Sequence, residues 1–229
     1  MFKIIKSIKN LVPMEIKIFI KKFRDFNAYN SLDKKMLKFI NYKGGFYIDC
    51  GANDGVNQST TWYYEKVLNW KGVLIEPIPK SFNQLKKNRN KNNFFFNCAL
   101  VPNSFKYSKI QFSYNPNDTL TGKINNNFKK NKKYKTVNVK AAKLNDILNL
   151  TKTKKIDFFS LDVEGFELRV LKSINFKKYY IKYILVETNE PNIVNNFLLT
   201  KNFYLKKRLS NYKFLDRPHY GDYLFINKK

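Results

Sequence analysis

Arginine is scarce in this chain. Of its 44 basic residues only Arg24, Arg89, Arg169, Arg208 and Arg217 are arginines; the rest are lysines. Proteins that read bases or clasp phosphates favour the planar, bidentate guanidinium. The scarcity therefore argues against a nucleic-acid reader, even at a net charge of +27. Abundant Lys, Asn, Ile, Phe and Tyr reflect A/T-rich codons, which accounts for much of the excess charge. The field still draws in anions, a nucleotide-sugar or a phospholipid head group among them. Cysteine is rarer still. Cys50 and Cys98 cannot build a disulfide-dense scaffold, and they fit a reduced, intracellular setting. No apolar run approaches the roughly 18–20 residues of a membrane span.

What is present suffices for a core. The 229 residues are 43% hydrophobic and 17% aromatic, which excludes a disordered polyelectrolyte and fits one domain with a short extension. Residues 1–26 form a compositional zone of their own. Phe2, Ile4, Ile5, Ile8, Leu11 and Val12 recur at helical spacing between lysines, Pro13 interrupts, and Ile16, Phe19, Ile20 and Phe23 resume the stripe. The segment has no uninterrupted apolar centre and no small-residue cleavage site, so it is not read as a signal peptide. A basic amphipathic helix can lie on an anionic membrane surface; packing onto the main domain as a lid is the favoured reading.

Ser31 is an expected N-cap for a helix over 32–40. Beyond Gly44 and Gly45, strand and helix signals alternate. Strands are expected at 46–50, 72–75, 94–100, 156–161, 181–186, 203–207 and 223–226. Helices are expected at 60–68, 80–89, 144–150, 166–173 and 192–199. The Asn- and Lys-rich stretch 101–140 reads as a hairpin or loop insertion. The alternation predicts a seven-stranded, mostly parallel sheet covered by helices on both faces, closed by an antiparallel final hairpin.

The stretch Ile48-Asp49-Cys50-Gly51-Ala52-Asn53-Asp54-Gly55 carries the most chemistry. It leaves a strand, makes a glycine-containing turn and enters a helix, which places the turn at the carboxyl edge of the sheet where ligands bind. Gly51 and Gly55 allow close approach to the backbone. The third glycine of a dinucleotide fingerprint is missing, so the turn suits a cofactor with a cation and a ribose better than a pyrophosphate. Glu76 ends the next strand, 21 residues past Gly55, where an acid can accept ribose hydroxyls.

These residues, with Trp70-Lys71-Gly72-Val73-Leu74-Ile75-Glu76-Pro77-Ile78-Pro79, Asn97-Cys98-Ala99-Leu100, Leu161-Asp162-Val163-Glu164-Gly165-Phe166-Glu167 and Leu185-Val186-Glu187, resemble the FkbM-type S-adenosylmethionine-dependent methyltransferases over about 44–226. The resemblance implies a class I (Rossmann-like) methyltransferase domain over 44–229 after a helical extension over 1–43, with S-adenosylmethionine as methyl donor. By that likeness Asp49, Gly51, Ala52, Asn53 and Gly55 line the methionine and ribose portion, Glu76 takes the ribose hydroxyls, and Cys98 and Ala99 lie near the adenine. It also implies methylation of a hydroxyl on a sugar, glycan precursor or small natural product, as in polysaccharide biosynthesis, by a cytoplasmic enzyme. The alternatives are an RNA or protein methyltransferase that uses the basic surface, and a non-catalytic cofactor-binding module. Two departures stand out. Many relatives have Ser-Asn-Thr where this chain has Ser59-Thr60-Thr61, and a histidine often stands where Phe166 stands.

Acceptor-side candidates are acids expected at the carboxyl edge. Asp162 and Glu164 end the fourth strand of the fold, Asp162 also bordering the cofactor loop, and Glu187 ends the fifth. On alternate positions Asp162 and Glu164 would point the same way. They can hold a hydroxyl, take its proton, or bind a divalent cation with Glu187. The competing reading has Glu164 capping the following helix. His219, the only histidine, is a further base candidate in a loop before the last strand. Trp62, Tyr63 and Tyr64 can stack on a ring, or form the buried face of their helix.

Overall fold

A computed structural model describes residues 24–124 and 134–229, together with Pro13 and Ile16. Most of the amphipathic zone expected over 1–26 lies outside the described residues. A 3₁₀ turn, Tyr29–Ser31, leads into α1 (Leu32–Met36), β1 (Phe46–Cys50), α2 (Trp62–Lys66), β2 (Lys71–Ile75), α3 (Pro79–Asn88), β3 (Phe94–Phe96) and β4 (Ala99–Leu100). There follow β5 (Lys109–Asn115), β6 (Asp118–Ile124), β7 (Lys135–Ala142), α4 (Leu144–Thr151), β8 (Lys155–Leu161) and α5 (Glu167–Ser173). The chain closes with β9 (Tyr180–Thr188), α6 (Pro191–Leu199), β10 (Phe203–Arg208) and β11 (Gly221–Asn227).

Seven strands form the main sheet in the order β10-β11-β9-β8-β1-β2-β3. The β1, β2, β3, β8 and β9 pairings are parallel; β11 runs antiparallel to both β9 and β10. The β1 strand is buried at all five positions, and β8 at every position but its first. Such strands must be apolar on both faces. Ile48, Cys50, Val73, Ile75, Phe159 and Leu161 face a core closed by Leu144 and Leu148 of α4, Val170 and Leu171 of α5, and Val194 and Leu198 of α6. Their neighbours Tyr47, Leu74, Phe158 and Leu185 face the other core, with Leu32 and Met36 of α1, Tyr64 of α2 and Leu85 of α3. The period-2 alternation thus sorts one chain into two layers. Strand order reverses between β1 and β8, and the cleft of such a sheet opens at the carboxyl ends flanking that reversal.

Three local expectations are corrected. The strand expected over 94–100 is two strands: β3 stays in the main sheet, and β4 pairs in parallel with β7. The break falls at Asn97, whose side-chain amide donates to the carbonyls of Glu76 (2.8 Å) and Pro77 (3.1 Å) instead of continuing a ladder. The 101–140 stretch is more than a hairpin, because β4, β7, β5 and β6 form a second, four-stranded sheet. The helix expected over 32–40 ends at Met36, and Ser31 does not cap it. Asp33 does the anchoring instead, accepting from the backbone N–H groups of Asn27 (2.8 Å), Ala28 (2.9 Å) and Lys34 (2.8 Å). Residues 24–28 lie on α2: the Trp62 indole donates to the Arg24 carbonyl (2.9 Å), and Phe26 stacks on Tyr63 at 4.4 Å. Among the described residues no helix is long and apolar enough to cross a membrane.

Candidate active site

One cavity of about 470 Å³ opens at the carboxyl edge beside the β1/β8 reversal. Its first wall is the turn after β1. Gly51 (φ +86°) and Ala52 both donate backbone N–H to the Ile75 carbonyl at 3.1 Å, and Asp162 donates its own to the Cys50 carbonyl at 3.1 Å. A Cβ on Gly51 would lie 2.1 Å from the Asp162 carbonyl oxygen, so a side chain is excluded twice, by contact and by φ. Gly55 (φ +80°) serves the turn from behind. It does not line the cavity; a Cβ there would strike Leu85 and Arg89.

Asp49, Ala52, Asn53, Glu76, Cys98, Ala99 and Asp162 all line the cavity. Glu76 is buried, and its two oxygens accept the N–H groups of Ile78 (2.8 Å) and Asn53 (2.9 Å). Burial pushes its pKa up to about 8, against those two hydrogen bonds. Cys98 and Ala99 join Ile78 and Phe112 along an apolar stretch of wall, Phe112 coming from the second sheet. Burial pushes the Cys98 thiol up to about 12 and Cys50 well above its usual range, so both act as small apolar groups. The second sheet also reaches the turn directly: Thr119 donates its hydroxyl to the Asn53 side chain at 3.1 Å.

Behind the turn lies a residue the sequence reading missed. Arg89 is buried at the end of α3 and spends all five N–H donors on protein acceptors. Nε reaches Glu65 (2.9 Å); Nη1 reaches the Gly55 carbonyl (3.0 Å) and Ser59 (3.1 Å); Nη2 reaches the Tyr47 hydroxyl (2.9 Å) and Thr61 (3.0 Å). Thr61 in turn donates to Asp49 at 2.6 Å. The signal was available: one of only five arginines sits in the Lys- and Asn-rich run after α3, where charge alone suggests a solvated face.

The opposite wall is acidic and aromatic. Asp162, Glu164, Glu187 and Asp222 line the cavity with Tyr212 and Tyr220. Asp162 and Glu187 face each other across this wall. Loss of solvent raises Asp162 well above the carboxylate range, and the charges of Glu187 and Glu164 raise it further. Glu164 is pushed up to about 7 by burial and Glu187, against the pull of Lys123 and Arg217. Tyr212 donates to Asp222 (2.8 Å) and approaches Glu187 (3.2 Å). Burial beside these acids raises the Tyr212 and Tyr220 phenols, so both stay protonated donors. Arg217 lies 4.5 Å over the Tyr220 ring. Arg208 clasps the loop, donating through Nη2 to the carbonyls of Tyr212 and Tyr220, both at 2.7 Å.

Asp162 and Glu164 do reach one cavity, but not by strand alternation. The β8 strand ends at Leu161, and Glu164 takes a left-handed φ of +53° in the following turn. Glu164 does not hold that turn. Glu167 does, accepting from the Val163 (3.2 Å) and Gly165 (2.8 Å) N–H groups. His219 is not brought to the site: it is exposed, does not line the cavity, and offers only its carbonyl to Tyr223 at 2.8 Å. Trp62 and Tyr64 are buried in the body, and none of Trp62, Tyr63 and Tyr64 lines the cavity. Phe166, also outside it, lies under Arg169 at 4.6 Å. Among the described residues no group of three or more His, Cys, Asp or Glu side chains is placed to hold a metal ion.

A parallel sheet reversing beside its first strand, an antiparallel final strand, and an acid–glycine turn facing an acid on the neighbouring strand define a class I methyltransferase. The chain belongs to the FkbM family: the family model, Methyltransferase FkbM domain, matches residues 49–208. It is similar to a solved methyltransferase FkbM from Methylobacillus flagellatus, at 16% identity and TM-score 0.48, over 80% of this chain and 43% of that one. The chain thus spans less than half the length of that relative. It is also similar to a fibrillarin/Nop5p complex, at 13% identity and TM-score 0.47, over 88% of this chain and 81% of that one. A human methyltransferase 10 domain containing protein matches at 10% identity and TM-score 0.43, over 86% and 82%. No curated protein matches.

The family implies S-adenosylmethionine, and the residues fit it. Gly51 lines the cavity with backbone alone, Glu76 offers a carboxylate suited to a diol, Ile78, Ala99 and Phe112 offer apolar surface for a purine, and Asp49 offers an acid for a cation.

Proposed function

We propose that this chain is an S-adenosylmethionine-dependent O-methyltransferase acting on a hydroxyl of a sugar, glycan precursor or small natural product. One observation carries the reading: the turn and acids suited to the donor share a single cavity with a second set of acids and tyrosines suited to an acceptor. The cofactor, when bound, supplies an electrophilic methyl on a sulfonium. Glu76 and the turn around Gly51 orient it, and the Asp162 backbone, packed on Gly51, keeps the two halves of the cavity in fixed relation. Transfer to a hydroxyl releases one proton, which a carboxylate of the acidic wall takes. With its pKa near 7, Glu164 is matched to that task at neutral pH. Tyr212, held protonated, donates its one O–H to Asp222, and the Tyr212 and Tyr220 phenol oxygens are free to accept from the acceptor hydroxyl.

A labelled-methyl assay tests the reading, run on fractionated glycans and metabolites, RNA and protein, with and without chelator. Label is expected in the glycan or small-molecule fraction, unaffected by chelator. Glu164→Gln is expected to lower turnover by roughly 10²–10⁴. Label confined to RNA or protein, or cofactor binding with no transfer anywhere, overturns the proposal.

A further inference from the structure

We infer that Arg89 is a positioning residue for the cofactor: acting through the Thr61 hydroxyl, it holds Asp49 aligned and ionised at the cavity wall. The inference rests on the cofactor reading above and adds a residue that touches no substrate.

The geometry is specific. The turn that approaches the cofactor runs from Asp49 to Gly55, and Arg89 grips both ends. It donates directly to the Gly55 carbonyl at 3.0 Å, and reaches Asp49 through Thr61, which accepts from Nη2 (3.0 Å) and donates to Asp49 (2.6 Å). A lysine has no planar fork with which to meet five acceptors at once. The charges around Asp49 explain why a cation belongs there. Glu65 on α2, Glu76 beyond β2, and the Tyr47 and Cys50 side chains of β1 all lie close enough to interact with it. Burial, with a smaller push from Glu65, raises Asp49 above its ordinary value; the Arg89 charge and the Thr61 hydrogen bond oppose this. A protonated Asp49 would lose its attraction for a cationic cofactor.

The test is calorimetric titration of the full chain with S-adenosylmethionine between pH 5 and 8, with thermal melts to verify folding. Wild type is expected to lose affinity as pH falls through the Asp49 pKa. Arg89→Met is expected to move that acid limb up by about one pH unit or more. If Arg89→Met does not fold, Thr61→Val decides, since it cuts the relay while leaving the arginine in place; Thr61→Ser is expected to restore the wild-type limb. In an Asp49→Asn background neither substitution is expected to move the limb. A folded variant that weakens binding by the same factor at every pH reduces Arg89 to a structural role and overturns the inference. A limb that still moves in the Asp49→Asn background assigns it to Glu76 and overturns it too. No binding by wild type overturns the cofactor reading itself, and this inference with it.

Discussion

Gly51 is where the turn after β1 packs on the acidic wall of the cavity, and it admits no side chain. In Gly51→Ala the new Cβ must displace the Asp162 carbonyl from 2.1 Å while the backbone stays at φ +86°. Left-handed strain and the displaced carbonyl together are expected to cost about 2 kcal/mol or more. A lowered melting temperature with loss of S-adenosylmethionine binding by calorimetry is the expected result; a variant that binds like wild type would contradict the assignment of this turn. The residue scale was partly legible in the sequence. Asp49, Gly51 and Glu76 stand out jointly, because an acid, a glycine turn and a second acid follow one another at the ends of two successive strands. Arg89 and Asp33 did not, since burial against partners distant in sequence is invisible in composition. Tyr212, in the loop before β11, was hidden for the same reason: nothing local marks a tyrosine whose partners, Glu187 and Asp222, arrive from other strands.

The elements of the main sheet were the readily legible part. Buried parallel strands are short apolar runs, and the runs at β1, β2, β8 and β9 announced themselves. The second sheet was not, because β5, β6 and β7 mix lysine and asparagine with apolar residues, and because β4 looks continuous with β3. That sheet contributes to the cavity through Phe112, buried against Ile78, Ala99, Tyr114 and Val139. Phe112→Ala is therefore expected to destabilise the protein by about 3–5 kcal/mol and to weaken cofactor binding roughly tenfold, about 1.4 kcal/mol. Denaturant unfolding and calorimetry measure the two effects separately. Destabilisation without any change in affinity would remove the second sheet from the binding wall.

For the whole molecule, the charge balance hides a local inversion. The chain carries +27, yet Asp162, Glu164, Glu187 and Asp222 share one cavity. Burial raises Glu76 to about 8, and Glu164 and Asp222 to about 7. Each folded-state pKa lies above its unfolded value, so each group favours the folded state below the unfolded pKa and loses that contribution as pH rises through the folded one. Ordinary carboxylates are already ionised by about pH 5.5 and lysines do not yet titrate at about pH 8.5, so the cavity acids dominate this window. The cofactor-free protein is expected to melt at a lower temperature at pH 8.5 than at pH 5.5, by scanning calorimetry; a flat or rising trend would mean these carboxyls remain solvated.

The Arg208 clasp has a consequence for how such a protein diversifies. Arg208 ties the segment between β10 and β11 by the carbonyls of Tyr212 and Tyr220, while the side chains of Tyr212, Phe214, Arg217 and Tyr220 line the cavity. On the proposed reading, exchanging side chains between the two anchored carbonyls would change which acceptor the cavity admits and leave the turn after β1 in place.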